Sequence, residues 1–281
     1  MRSYALRRVI NLSVHLVCVA ATLVALVPLA LVLYHVAVQG VHALSIDFLT
    51  GLPRPVGEAG GGMANAIVGT FTLLGLAALF GIPTGVLAGV FLAEFDDARL
   101  ARWVRLAADV MAGVPSITVG LFVYSVVVVT TGTFSAVAGG VALAVLMLPT
   151  ITRTTEELVR LVPSVHREAA LGLGLARWRA VVFVVLRAAA PGIATGVMLS
   201  IARIAGETAP LLFTSLNNQH WAGGVLEPTA SLPVMIYTYA VSPYEVMHQQ
   251  AWSAALVLVL LVLALDVAAR LLVRYRSGRA S

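Results

Sequence analysis

Long stretches of this chain carry apolar side chains without the polar interruptions that give a soluble helix or strand its second face. Between Val9 and Val38 there is no Asp, Glu, Lys or Arg, and the same holds from Val110 to Thr152. A helix rising 1.5 Å per residue needs about 20 apolar residues to cross a bilayer core. On that measure the pattern predicts six spans, at about 10–37, 66–93, 108–130, 136–151, 181–206 and 250–270. The third and fourth divide one uncharged stretch at "TTGTFS", Thr130 to Ser135, where Gly and Ser break the run; this leaves the fourth span short. The expected fold is an all-α integral membrane protein. The chain divides into an anchor helix with an outer loop (1–65), a membrane domain (66–272) and a basic tail (273–281).

Composition supports this reading. Of 281 residues, 60% are hydrophobic and 11% charged, against about 25% charged in soluble domains. The net charge of +5 would suggest nucleic acid in a soluble protein, but the arginines follow topology. With six spans and the N-terminus inside, sixteen of the eighteen fall in cytoplasmic segments, as the positive-inside rule requires. Only Arg54 lies clearly outside, and Arg203 lies near the outer end of the fifth span. No nucleic-acid partner is needed. Arg2, Arg7 and Arg8 precede an apolar run far longer than the roughly 7–15 residues of a cleaved signal, so that run reads as a retained first span.

All eighteen basic residues are arginine, which removes the P-loop lysine and the Schiff-base lysine from consideration. If transport here consumes ATP, another polypeptide hydrolyses it. The lone cysteine, Cys18, reads as a packing residue. His15, His35 and His42 lack ligand spacing, so no metal is expected, and no cofactor is expected on this chain. No nucleophile stands beside a base, so the chain is not expected to be an enzyme. Asp109 and Asp266 fall near inner ends of spans, where they reach the interface or pair with nearby arginines.

Two outer segments are long. Gln39 to Asn65 is rich in Gly and Pro; Thr208 to Gln249 contains "SLPVMIYTYAV", too short for a seventh span and predicted as a short helix lying in the interface or dipping into the membrane.

The largest inner loop, Arg153 to Ala180, reads "RTTEELVRLVPSVHREAALGLGLARWRA". Thr154 and Glu157 have capping-box spacing, which predicts a helix start there. Pro163 and Ser164 predict a second start, and Gly172 and Gly174 a turn before a new helix near Arg177. On composition this is a solvated amphipathic loop. However, "EAALGLG", with Glu168, Ala169, Ala170 and Gly174, resembles the EAA motif of ABC importer permeases, whose short coupling helix docks in a cleft of a cytoplasmic ATPase. Further pieces narrow the resemblance: "GEAGGGMANAIVGT", "GVPSITVGLF", "LPTITRTTEELVRLVPSVHREAALGLG" and "ARIAGETAPLLF" are similar to the PstA-type permeases of the phosphate importer, in the expected order between Gly57 and Phe213. The resemblance implies a type I ABC importer transmembrane domain (MetI-like) in the cytoplasmic membrane, with both termini cytoplasmic. It also implies a second related permease chain, two ATPase subunits, an extracytoplasmic phosphate-binding protein and contact with membrane lipid. One departure stands out: the EAA pattern ends with a proline about thirteen residues after its glycine, where this chain has Arg187, with a proline only at Pro191.

"ARIAGETAPLLF", Ala202 to Phe213, places Arg203 four residues before Glu207. Four helical residues advance about 40°, so the two can share a face and form an ion pair. Pro210 predicts a helix end or kink nearby. Two readings stay open: a structural salt bridge, or an anion contact by the forked guanidinium of Arg203 that Glu207 restrains. The resemblance implies the second, with Arg203 and Glu207 in the translocation pathway. Arg153, at the inner end of the fourth span, fits either a pathway contact or positive-inside placement. The function expected is a permease for inorganic phosphate. The alternatives are a permease for sulfate or molybdate, or an ion-coupled transporter or channel gated by a salt bridge; a signalling role is compatible with transport.

Overall fold

The computed structural model describes residues 4–55, 58, 60–95 and 99–277, with the side chains of residue 5 and of 272–277 outside the description. Among the described residues the regular structure is entirely helical: α1 (Tyr4–His42), α2 (Ile46–Thr50), α3 (Ala64–Glu94), α4 (Arg99–Gly113), α5 (Ser116–Thr131), α6 (Ala136–Arg160), α7 (Ser164–Gly172), α8 (Arg177–Ala205), α9 (Ala209–Leu212), α10 (Leu232–Ala240) and α11 (Glu245–Ser277). Five of these are long and apolar enough to cross a membrane, and the pair α4 and α5 makes a sixth candidate, bent by 110°.

That bend corrects the third span. A straight helix over 108–130 was expected, but residues up to Gly113 belong to α4, and the apolar span begins only at Ser116. Pro115 has no backbone donor, and a proline disfavours helical backbone at the residue before it, Val114. Pro115 sits at φ −57°, ψ 135°, outside the helical region.

The fourth span is also longer than expected. Helix α6 continues to Arg160 without interruption, so the capping-box spacing of Thr154 and Glu157 starts no helix. Tertiary packing explains this. Thr154 is the neighbour of Gly196 on α8, and Glu156 forms i,i+3 and i,i+4 pairs with Arg153 and Arg160, which support helix where the pattern suggested a loop.

The core rests on α3 against α6. Gly81, Gly85 and Gly89 recur every fourth residue along one face of α3, a small-residue stripe that lets two backbones approach closely. A Cβ on Gly85 would stand 2.8 Å from Ile151, and one on Gly89 would stand 2.5 Å from the Thr152 carbonyl oxygen. Above this contact Leu73, Ala77, Leu143 and Met147 join Ile204 and Leu211 in one buried cluster.

A second cluster caps the end expected to face outward, joining Phe48 and Met63 to Leu232, Met235 and Ala254. Here the segment expected in the interface or dipping into the membrane forms the helix α10, and protein buries its first turn and Tyr239, while Tyr237, Thr238 and Ala240 stay exposed. Leu232 and Met235 are fully buried, and the Leu232 amide donates to Thr70 Oγ1 at 2.9 Å. Helix α1 joins only at this end. Ser253 Oγ donates to the Gly40 carbonyl at 2.7 Å, and the rings of His35 and Trp252 meet edge to face at 5.0 Å. The rest of α1 is exposed and apolar, which is tolerable where the solvent is lipid. Cys18 shares that exposure and so does not pack in a core as expected. The basic tail falls partly outside the description: the side chains of Arg274 and Arg276, and all of Arg279, are not described.

Candidate functional site

One end of the helix bundle, the one expected to face inward, carries the EAA-like segment. Pro163 occupies the N-cap of α7 with extended ψ, and the turn after the helix uses Gly174 at φ +82°, a left-handed conformation that costs an L side chain about 1 kcal/mol or more. Arg167 pins this helix to two neighbours. Its Nε and Nη2 donate to Glu94 Oε1 at 3.1 and 3.0 Å, while Nη1 and Nη2 donate to the carbonyls of Val162 and Val159 at 2.9 and 3.0 Å. Arg177 adds a donation to the Glu94 carbonyl at 3.0 Å, with its guanidinium 5.4 Å from the Phe95 ring. The end of α3 is thus met by cations, as the charge at a helix C-terminus favours. With Ala170 buried beneath, Glu168 and Ala169 face outward, flanked by Val165 and Leu173, which are 66% and 83% exposed.

Higher up, Glu156 collects three arginines, one from α4 and two from its own helix α6. Its side chain is 4% exposed, and it accepts from Arg105 at 2.8 Å, Arg160 at 2.9 Å and Arg153 at 2.9 Å. Arg153 also pairs with Asp109 of α4 at 2.9 Å. A buried carboxylate is tolerable only when its lone pairs are satisfied, and this one is enclosed by guanidinium donors. Of this network only Arg153 and the pairing of Asp109 were anticipated. Glu156 gives no signal of its own at the capping-box spacing, which Glu157 fills. The spacing of Arg153, Glu156 and Arg160 at i, i+3 and i+7 was the available signal.

Arg203 presents the opposite case. The expected ion pair with Glu207 does not form. Helix α8 ends at Ala205 and Gly206 leaves it at φ −96°, ψ 1°, so Glu207 lies beyond the helix and the shared-face geometry lapses. Arg203 is exposed and, among the described residues, makes no ion pair or hydrogen bond within the chain. The predicted break at Pro210 is present: α9 starts beside it, and Pro210 packs on Gly120, where a Cβ would stand 2.6 Å from the Pro210 Cα. Two of the quoted sequence pieces, "GVPSITVGLF" and "ARIAGETAPLLF", therefore meet in space.

The depth of Arg203 differs from the expectation as well. Gly192 faces Leu158 and Gly196 faces Thr154, so α8 runs antiparallel to α6 in a register that brings Arg203 level with Met147. At 1.5 Å per residue that is about 16 Å below the outer end of α6. The fifth span stops part-way, and its last arginine sits deep among the spans. No hydrogen bond or ion pair joins Arg203 to the Glu156 network.

Residues 81–277 match the family described as binding-protein-dependent transport system inner membrane component. The chain is 42% identical over 272 residues to the "Phosphate transport system permease protein PstA" of Yersinia pestis, covering 96% of this chain and 92% of that one. It is 44% identical over 246 residues to the protein of the same description from Haemophilus influenzae, covering 87% of each. The chain belongs to the PstA-type permeases of this family. A relative in Methanocaldococcus jannaschii, described as a probable PstA permease, is 38% identical over 259 residues and 89% of each chain.

Solved structures place the PstA-type chain among ABC transporter permeases by fold. An inward-facing MetNI methionine ABC transporter aligns with TM-score 0.60 at 23% identity, over 76% of this chain and 93% of that one. An amino acid ABC transporter solved with histidines aligns with TM-score 0.54 at 17% identity, over 83% and 100%. The expected MetI-like membrane fold is therefore the one observed, in a multi-pass inner-membrane protein. Position 187, where this PstA-type chain departs from the EAA pattern, lies inside α8 just after a π-helical stretch at Ala180–Val185, and Pro191 is accommodated within the same helix.

Proposed function

We propose that this chain is a membrane-spanning permease subunit of an ATP-driven importer of inorganic phosphate. The observation that carries the reading is Arg203, a permanently charged guanidinium, exposed, without a partner among the described residues and deep among apolar spans. A charge left against hydrocarbon is costly. This face is therefore met by water in a pathway, by a second permease chain, or by both. A forked donor matches the oxygens of phosphate, and the absence of a fixed counter-ion lets a passing anion serve as one. Glu207, past the end of α8, restrains that contact so that the anion is released; binding too strong to leave would block conduction. Arg153, already shared between Glu156 and Asp109, positions the inner end of the same route.

In this reading the outward face of α7, with Glu168 and Ala169, docks on one of two ATPase subunits. Ala170 beneath it and the turn at Gly174 hold the helix to the membrane domain. A related permease chain completes the pathway, an extracytoplasmic binding protein delivers phosphate, and both termini are cytoplasmic. The chain itself hydrolyses nothing and carries no cofactor. The near full-length similarity to PstA permeases supports phosphate as the cargo.

The test is reconstitution with the partner subunits, measuring ATP hydrolysis stimulated by binding protein loaded with phosphate, sulfate or molybdate. Stimulation confined to phosphate is expected. Equal or greater stimulation by another oxyanion overturns the substrate assignment, and uptake that survives ATP depletion but fails under a protonophore overturns the ATP-driven mechanism.

A further inference from the structure

Helix α4 has two unlike faces. Ala101 and Ala108 are buried and Arg105 reaches Glu156, so one face is occupied by the chain itself. On the opposite face Arg99, Trp103, Leu106 and Val110 follow at i, i+4, i+7 and i+11, and the last three are 65%, 51% and 59% exposed. Arg102 lies at the edge of this stripe. Arg99, Arg102, Trp103 and Leu106 line an open cleft of about 350 Å³.

The two arginines at the start of the stripe differ from those around them. Arg105, Arg153, Arg160, Arg167 and Arg177 all hold carboxylates or carbonyls of the chain. Arg99 and Arg102 make no ion pair or hydrogen bond among the described residues, and the preceding Asp96 and Asp97 lie outside the description. Helix α4 also lies crosswise to the apolar span that follows it, at 110°, and its arginines place it at the inner side of the membrane. A crosswise helix with arginines and a tryptophan beside an apolar stripe has the form of an interfacial helix.

We propose that this face of α4 is a binding site for anionic phospholipid of the cytoplasmic leaflet. The headgroup phosphate is held by Arg99 and Arg102, Trp103 stands at the headgroup boundary, and the acyl chains run along Leu106 and Val110. A lipid uses both halves of the face. Free inorganic phosphate would use the guanidiniums and leave the apolar stripe unexplained, and a zwitterionic lipid would use the stripe without the charge.

The test employs the assembled transporter in nanodiscs of phosphatidylcholine containing increasing fractions of phosphatidylglycerol brominated on its acyl chains. Trp103 emission is taken as the difference between wild type and Trp103→Phe. Quenching is expected at a several-fold lower mole fraction of brominated phosphatidylglycerol than of brominated phosphatidylcholine. The Arg99→Gln, Arg102→Gln double variant should lose that preference, and the Arg99→Lys, Arg102→Lys variant should retain most of it. Equal quenching by both lipids, an unshifted double variant, or displacement of the brominated phosphatidylglycerol by millimolar inorganic phosphate would each overturn the proposal. So would the absence of any quenching, which would mean that another subunit covers this face.

Discussion

Glu156 and Arg203 are both charged groups among apolar helices, and the chain treats them in opposite ways. Glu156 is buried and ringed by Arg105, Arg153 and Arg160. Arg203 is exposed at mid-depth and has no partner among the described residues of its own chain. A carboxylate that the fold itself neutralises serves first to hold α4 and α6 together. A guanidinium that the fold leaves alone depends on something outside the chain, whether an anion, water or a second subunit. The contrast separates charges that maintain the subunit from charges that act in the complex.

The sharpest way to break this contrast is Arg203→Gln. Phosphate uptake should fall to background while the subunit still inserts and copurifies with its partners; uptake at the wild-type rate would remove Arg203 from the pathway. Glu156→Gln should act the other way round, on stability. It leaves three partly exposed guanidiniums around a neutral amide, so the loss should stay below the about 3–5 kcal/mol of breaking a fully buried pair, and a thermal melt of the purified subunit would register it. Should Arg203→Gln lower the melting point as much as Glu156→Gln, the distinction would collapse.

Gly89→Val probes the scaffold on which both groups depend. A side chain there meets the Thr152 carbonyl and Thr155, and the overpacking should cost about 1–3 kcal/mol, visible in the same melt. The smallest effect on the fold belongs to Glu168→Ala. Glu168 is exposed, so the melt should move by less than about 0.5 kcal/mol. Copurification with the ATPase should nonetheless weaken, and unchanged copurification with unchanged coupling would remove Glu168 from the docking face.

What was legible beforehand follows from which interactions are local. The α7 start at Pro163 and Ser164, the turn at Gly174 and the break near Pro210 depend on backbone rules that act within a few residues, and all three are present. The Arg203–Glu207 pair failed because its premise, an unbroken helix through Glu207, was contradicted by a helix end at Ala205. The capping box at Thr154 failed for the converse reason: a local start signal gave way to contacts of Thr154 with Gly196 and of Glu156 with three arginines, two of them on its own helix. The Gly81, Gly85, Gly89 stripe was present in the sequence, but its partner helix was not identifiable there.

By itself the sequence determined that this is a multi-span helical membrane protein and that its largest charged loop resembles an ATPase-coupling segment. Uncharged length and arginine placement answer to the bilayer, a solvent that acts on each segment separately. Tertiary structure alone decided that the first turn of α10 is buried in protein, that α4 lies across the spans, and that Arg203 stands deep and unpaired among the described residues while Glu156 is surrounded. Those outcomes depend on which helices meet and in what register, and residues 50 or more positions apart must come into contact before a charge is either satisfied or left for a partner.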